Sequence, residues 1–197
     1  GVSATPVREA LLDLASTGLV EPIRNRGFRV LVADEADLDE ISELRILLEV
    51  PGIRRVVERA SDEEILALQP TVAAIEGASR EHDIAAFLVA DRDFHVGLLE
   101  LAGNGRLTRL VAQLRDQTRL MGLSALTEAG NLDASAREHA DVLAAVRERD
   151  ADRAESLMRR HLEHTRGIWA GRDEAAGLTA GSPAPSTTDR GTDRPRS

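Results

Sequence analysis

The sequence has no cysteine, no lysine and no tyrosine, and its aromatic side chains are one tryptophan and three phenylalanines. Each absence removes a chemistry. Without cysteine there is no disulfide framework, no thiolate nucleophile and no Cys-ligated zinc. Without lysine there is neither Schiff-base chemistry nor a Walker-type phosphate lysine, and all 25 basic residues are arginine. So few aromatic rings leave little on which a base or sugar could stack. No apolar run approaches the roughly 18 residues of a membrane span, and no basic-then-apolar leader opens the sequence. The expectation is a soluble, cytoplasmic protein. At 197 residues the chain can bury a core without covalent help.

The formal charge is −9, which on its own argues against a polyanionic partner. The charge is unevenly spread. Residues 1–30 hold four arginines and three acids, and residues 31–170 hold 17 arginines and 27 acids. The last 27 residues are balanced, with four of each sign. Any nucleic acid would have to be met by the first 30 residues.

The pattern from about 37 to 170 is helical, with apolar residues at three- and four-residue spacing, as in Leu38, Ile41, Leu44 and Leu48. Six helices are expected: 37–59, 62–76, 83–101, 105–126, 134–149 and 151–170. The first should bend or break at Pro51. Ser61 with Glu64, and Ser135 with Glu138, have the spacing of capping boxes. Asp133 and Asp150 are further N-cap candidates. Gly77, Gly103 and Gly130 are stop signals. Short connections imply an antiparallel bundle. The tail from 171 is poor in apolar residues, so disorder is expected there.

The first 30 residues differ. Pro6 to Ser16 reads as a helix, with Thr5 as N-cap, Pro6 in first position and Gly18 as stop. Leu19–Ile23 and Phe28–Leu31 read as strands around an Asn25-Arg26-Gly27 turn. Leu11, Leu12 and Leu14 are expected to face the core of this unit. Helix, strand, turn and strand form the second half of a winged helix-turn-helix, so the chain is expected to open in mid-domain.

The run Gly1-Val2-Ser3-Ala4-Thr5-Pro6-Val7-Arg8-Glu9-Ala10-Leu11 resembles the start of the recognition helix in GntR-family transcription regulators. Leu14, Gly18-Leu19-Val20 and Arg26-Gly27-Phe28-Arg29-Val30 continue the resemblance through the wing. Many members of that family carry Arg where this chain has Ala4, so operator specificity does not carry over. Recognition helices enter the major groove by their N-terminal end. Ser3, Thr5 and the free amides of the first turn suit phosphate contacts. Arg8 can reach the edge of a guanine. Arg26 and Gly27 at the wing tip let the backbone approach the minor groove.

In the helical part, Asp91 and His95 are four residues apart on one helix and share a face with Leu88, Leu98 and Leu99. Asp93 points elsewhere. His139 lies with Val142, Leu143 and Val146, and His161 with Leu157, Met158, Thr165 and Ile168. One Asp and three His thus fall on inward faces of three helices. Buried without partners they would be costly, and a shared divalent cation resolves this. Nitrogen and oxygen donors without sulfur suit zinc, nickel, manganese or iron, of which zinc is placed first. His82 falls in a turn, and His164 one turn beyond His161 could border the site.

Residues 37–166 also resemble the FCD ligand-binding domain of the FadR subgroup of GntR regulators. The matching features are Glu43-x-Arg45-x-x-Leu48-Glu49, Asp91-x-x-Phe94-His95, Asn104, Glu138-His139, Asp150 with Ala154, and Met158-x-x-His161-Leu162. The resemblance implies a mainly α protein: a partial winged helix-turn-helix over 1–32, a linker at 33–36, and an all-α effector-binding and dimerisation domain over 37–170. It implies metal ligation by Asp91, His95, His139 and His161, a small organic-acid effector, homodimers and double-stranded operator DNA, with repression relieved or imposed through the linker. Arg45 is either the carboxylate fork of the effector site or a structural salt bridge, and Arg115 and Arg119 are weaker candidates for the fork. Two other readings stand beside this one. One is a ligand-binding and dimerisation protein without DNA binding. The other is a metal-dependent hydrolase or isomerase on the same four ligands, which lacks an obvious general base.

Overall fold

The structure, a computed structural model, describes residues 4–31, 34–129 and 132–169, leaving aside the side chains of residues 4, 119–129 and 169. Ser3, Gly130 and the tail from 171 thus lie outside the described residues, as does the side chain of Arg119.

Helix α1 (Ala4–Ser16) is followed by an antiparallel hairpin of β1 (Val20–Ile23) and β2 (Gly27–Val30). The helix begins two residues before the expected start, so Thr5 is inside its first turn and is not the N-cap. Pro6 is still harmless there, because first-turn amides have no intrahelical acceptor to lose. Gly18 ends the helix at φ +79°. Leu19 N–H and Gly18 N–H donate back to the Leu14 and Ala15 carbonyls at 3.1 and 3.2 Å, a Schellman closure. Asn25 at φ 61° and Gly27 at φ 100° make the hairpin turn. The expected inward face of α1 is only partly covered. Leu11 is half-buried, but Leu12 and Leu14 are 47% and 41% exposed, since the hairpin packs on one side of the helix only.

Seven helices follow: α2 (Glu35–Arg59), α3 (Asp62–Leu66), α4 (Gln69–Arg80), α5 (Ile84–Glu100), α6 (Gly105–Ala129), α7 (Asp133–Arg147) and α8 (Ala151–Trp169). The principal pairings are α2 on α8, α4 on α5, α7 on α8 and α5 on α6. Helices that pack as neighbours across such short turns run antiparallel. Phe94, Ile53, Ile75, Leu98, Leu143 and Leu162 are almost wholly buried between them. None of the described helices is long and apolar enough to cross a membrane.

The two prolines that fall within the expected helices behave differently. The expected helix 62–76 is two helices, broken after Leu66. Pro70 has no N–H for the carbonyl of residue 66, and its ring crowds that carbonyl. Of the bend or break expected at Pro51, the break does not occur, and α2 runs through it. Leu47, whose carbonyl loses its donor, sits on an exposed face where water can substitute.

Helix starts and stops also diverge from expectation. Asp34 caps α2 with a reciprocal Asp37 bond, which begins that helix at Glu35 and shortens the linker. Ser61 and Glu64 do form the expected box. Asn104 accepts from the Arg106 and Leu107 amides, and Asp150 from that of Arg153. The Ser135–Glu138 box does not form: α7 starts at Asp133, and Ser135 is buried within it. Gly77 is passed over, and α4, which ends at Arg80, is closed instead by His82, an exposed residue at φ 54°. Arg149 at φ 60° closes α7 in the same way, with Asp150 N–H on the Ala145 carbonyl at 3.1 Å. Replacing Ser61 by Ala is expected to cost about 1 kcal/mol. Urea denaturation would register this as a lower midpoint at unchanged slope.

Candidate metal centre

Three helices carry the four expected ligands. Asp91 and His95 come from α5, His139 from α7 and His161 from α8, and one ligand atom from each lies within 4.8 Å of all the others. The three imidazoles are fully buried. Phe94 stands edge-on to the rings of His95 and His139, at centroid distances of 5.3 and 5.1 Å. Asp93, by contrast, is exposed.

Each ring is held by its Nδ1. His95 Nδ1–H donates to Glu49 Oε2 at 2.6 Å, His139 Nδ1–H to the Ser135 carbonyl at 2.8 Å, and His161 Nδ1–H to Glu138 Oε2 at 2.9 Å. These acceptors carry no proton of their own to give, so each Nδ1 bears the hydrogen and each Nε2 is a bare lone pair. Those Nε2 atoms face one another and Asp91. His95 Nε2 and His161 Nε2 are 3.2 Å apart, and His139 Nε2 is 3.1 Å from Asp91 Oδ1. His95 Nε2 is 3.9 Å from the same oxygen. Four acceptors converge with no hydrogen to share.

The surroundings hold His95 and His161 neutral. Burial pushes His161 down to about 4, reinforced by His139 and opposed by Glu138. Burial and the Arg115 charge together push His95 well below its usual range, against the pull of Glu49. Protonating His95 or His161 is therefore not an accessible way to relieve the crowding of lone pairs.

A ring of charge surrounds the ligands. Arg45 Nε donates to Glu49 Oε1 at 2.8 Å. Arg115 Nη2 donates to Glu49 Oε2 at 3.3 Å and Arg115 Nη1 to Asp91 Oδ2 at 2.5 Å. Arg45, Glu49 and Arg115 are all buried. Burial raises the Glu49 and Asp91 carboxyls, but the charge of Arg115, joined at Glu49 by that of Arg45, opposes it, and both are held well below the carboxylate range. Glu138 is held at about 2: burial opposes ionisation, and its bonds to His161 and His164 prevail.

The structure brings together all four expected ligands. It places Arg45 one residue away from them, behind Glu49. Arg115, a weaker candidate from the sequence, is the arginine that touches a ligand, and its buried Nε makes no hydrogen bond among the described residues. The supports are what sequence reasoning misses. Glu138 has the spacing of a capping acid, although a carboxylate beside His139 and across from His161 is itself a signal. Glu49, four residues from Arg45 in an otherwise apolar stretch, is another. The expected DNA contacts Thr5, Arg8, Arg26 and Gly27 are all exposed, and Arg8, Arg26 and Gly27 line one groove between α1 and the hairpin.

Comparison with known proteins fits this architecture. The FCD domain family matches residues 40–164. The HTH-type transcriptional regulator McbR of Escherichia coli K12 is 30% identical over 156 residues, covering 77% of this chain and 70% of its own length. An HTH-type transcriptional regulator from an unstable DNA locus of Streptomyces ambofaciens is 29% identical over 195 residues, covering 98% of this chain and 78% of its own. Among solved structures, that of E. coli McbR/YncC superposes with a TM-score of 0.79 at 25% identity, over 86% of this chain and 81% of that one. The metal-free FCD domain of TM0439, at 21% identity and a TM-score of 0.56, shares the fold over 75% of this chain and 98% of its own. A bundle with this site behind a helix and wing, matched across both parts by HTH-type regulators, makes this chain a member of the GntR family of transcriptional regulators with an FCD domain.

Proposed function

We propose that this regulator is controlled by a small carboxylate effector bound at a divalent metal held by Asp91, His95, His139 and His161. The observation that carries the reading is the set of three Nε2 lone pairs and one carboxylate oxygen turned on one another with every Nδ1 hydrogen engaged elsewhere. Donor atoms bonded to one ion at about 2.0–2.2 Å stand about 3–4 Å apart, and the separations of 3.1, 3.2 and 3.9 Å fall in that range. Acceptors behind each Nδ1 are the usual companions of ligating histidines. A bound ion would supply positive charge and open coordination positions for an acid. The unengaged Nε of Arg115 lies beside it as a further anchor, with Arg45 and Arg119 as the remaining candidates. Zinc is the first choice, with nickel, manganese and iron as alternatives.

Kinship with HTH-type regulators supports DNA contact by the N-terminal part. We assign phosphate and base contacts to Ser3, Thr5, Arg8, Arg26 and Gly27, with residues 1–32 as part of the DNA-binding unit, 37–170 as the effector domain and homodimers as the form that reads paired half-sites. Chelator-stripped protein titrated with zinc, and then with a panel of small carboxylates, tests the effector reading. The expected result is one zinc site per chain and acids that raise the melting temperature only when zinc is present. Acids acting equally on stripped protein would refute it. For the wing, Arg26→Ala is expected to lower the slope of log affinity against log salt by about 0.9. An unchanged slope in a binding titration removes Arg26 from the interface.

A further inference from the structure

Three consecutive residues of α6 face three different partners. Arg115 reaches into the metal centre, to Asp91 and Glu49. Asp116 takes Arg92 Nε at 2.6 Å, so the pairs Asp91–Arg115 and Arg92–Asp116 clamp α5 to α6 side by side. Gln117 turns away from both. Its Nε2 donates to the Thr17 carbonyl at 2.8 Å, at the C-terminal end of α1.

That last contact is tight. A Cβ on Gly18 would stand 2.5 Å from Gln117 Nε2, and Gly18 also holds φ +79°. Glycine at 18 suits the turn that ends α1, and a side chain there would push the Gln117 amide from its seat. The Thr17 carbonyl follows the last turn of α1, where carbonyls lack intrahelical donors, and the glutamine amide supplies one from the bundle.

We propose that the segment Arg115–Gln117 is the coupling element of this regulator, passing the occupancy of the metal centre to α1 directly through the Gln117–Thr17 contact, in parallel with the chain connection at 31–34. The proposal rests on the metal reading above and names how that site would be heard. One oxygen of Asp91 faces the imidazoles while the other holds Arg115. A dication among the imidazoles pulls on the first oxygen and repels the buried guanidinium on the second. Arg115 is fixed to α6, and Gln117 is two residues further along the same helical turn, so a displacement of Arg115 is felt at the cap of α1. Coupling of this kind is reciprocal: whatever holds α1 must bias the centre by the same amount.

Hydrogen exchange on the intact chain, read in peptides spanning 11–19, decides the matter. In the wild type, zinc added to chelator-stripped protein is expected to change exchange in that segment by about threefold or more. Gln117→Ala should keep its zinc, measured by elemental analysis, and lose that response. Gly18→Ala, which dislodges the glutamine from the other side, should lose it too. A metal-independent arm uses Asp91→Asn, which releases Arg115: it should alter exchange of 11–19 in the wild-type background and leave it unaltered with Gln117→Ala. If α1 responds alike with and without Gln117, or does not respond in the wild type to either perturbation, the coupling is overturned. If the wild type takes up no zinc, the metal reading fails, and the Asp91→Asn arm still supports or overturns the coupling by itself.

Discussion

The double variant His139→Ala/His161→Ala is expected to bind no divalent metal. Elemental analysis after reloading with zinc should give about one ion per chain in the wild type and less than about a tenth of that in the variant, because the remaining pair, Asp91 and His95, is too few to outcompete water and buffer. Folding stability should follow. A ligand present at about 1,000 times its dissociation constant stabilises the state it binds by about 4 kcal/mol. For a chain of this size that is on the order of 10 °C in melting temperature. Chelation should thus lower the melting temperature of the wild type by that order and leave the variant where it was. Equal metal content in the two proteins would sink the ligand assignment.

The second large effect belongs to Glu49. It has no solvent exposure, and it is the shared partner of Arg45, Arg115 and His95. Glu49→Ala removes the carboxylate that Arg45 and Arg115 share, leaving Arg115 its bond to Asp91, and loss of one partner of a buried ion pair costs about 3–5 kcal/mol. It also frees the Nδ1 of His95, and loss of such an outer partner lowers metal affinity about 10–100-fold. Chemical denaturation and zinc titration measure the two losses separately. Glu49→Gln keeps the shape and one acceptor oxygen, so it should retain more of the fold than alanine while still weakening zinc. A loss below about 1 kcal/mol in Glu49→Ala would mean that the arginines are satisfied by other means, and that Glu49 is not the keystone of the charge ring.

The grouping of the four candidate ligands is legible in the sequence and their supports are not, for a physical reason. A ligand on a helix advertises itself by periodicity: Asp91 and His95 are one turn apart, and His139 and His161 sit among Val142, Leu143 and Met158 on stripes that must be buried. A support is defined by what lies across from it. Nothing local says that Glu138 faces α8 when Ser135, three residues earlier, offers it a role as a capping acid. The helical segments are likewise clear, and their ends less so. The pattern 62–76 continues across Pro70 because Val72 and Ile75 keep the apolar period. Glycine is the usual stop, yet the structure ends α4 and α7 with His82 and Arg149 in left-handed conformations. Arg149 holds its position through bonds to the Val57 and Ala60 carbonyls, at 2.9 and 2.7 Å, which no local pattern announces. At the other extreme, Pro51 has the look of a breaker and lies inside a continuous helix.

That helix has a mechanical meaning. α2 runs without interruption from its Asp34 cap to Arg59, and Glu49 lies 15 residues from the cap. At 1.5 Å per residue the distance is about 22 Å. The far end is tied down as well: Arg166 of α8 grips Asp39 and Glu35 at 2.8 and 2.7 Å, within the first turns next to the cap. A continuous helix pivoting near Glu49 is a lever, and a tilt of about 5° moves its tip by about 2 Å. The arm from Glu49 to the Asp34 cap holds no proline or glycine, so the short connection to the wing meets a continuous helix in place of a joint. Where that arm is stiff, Arg166→Ala should loosen its tip without touching its fulcrum.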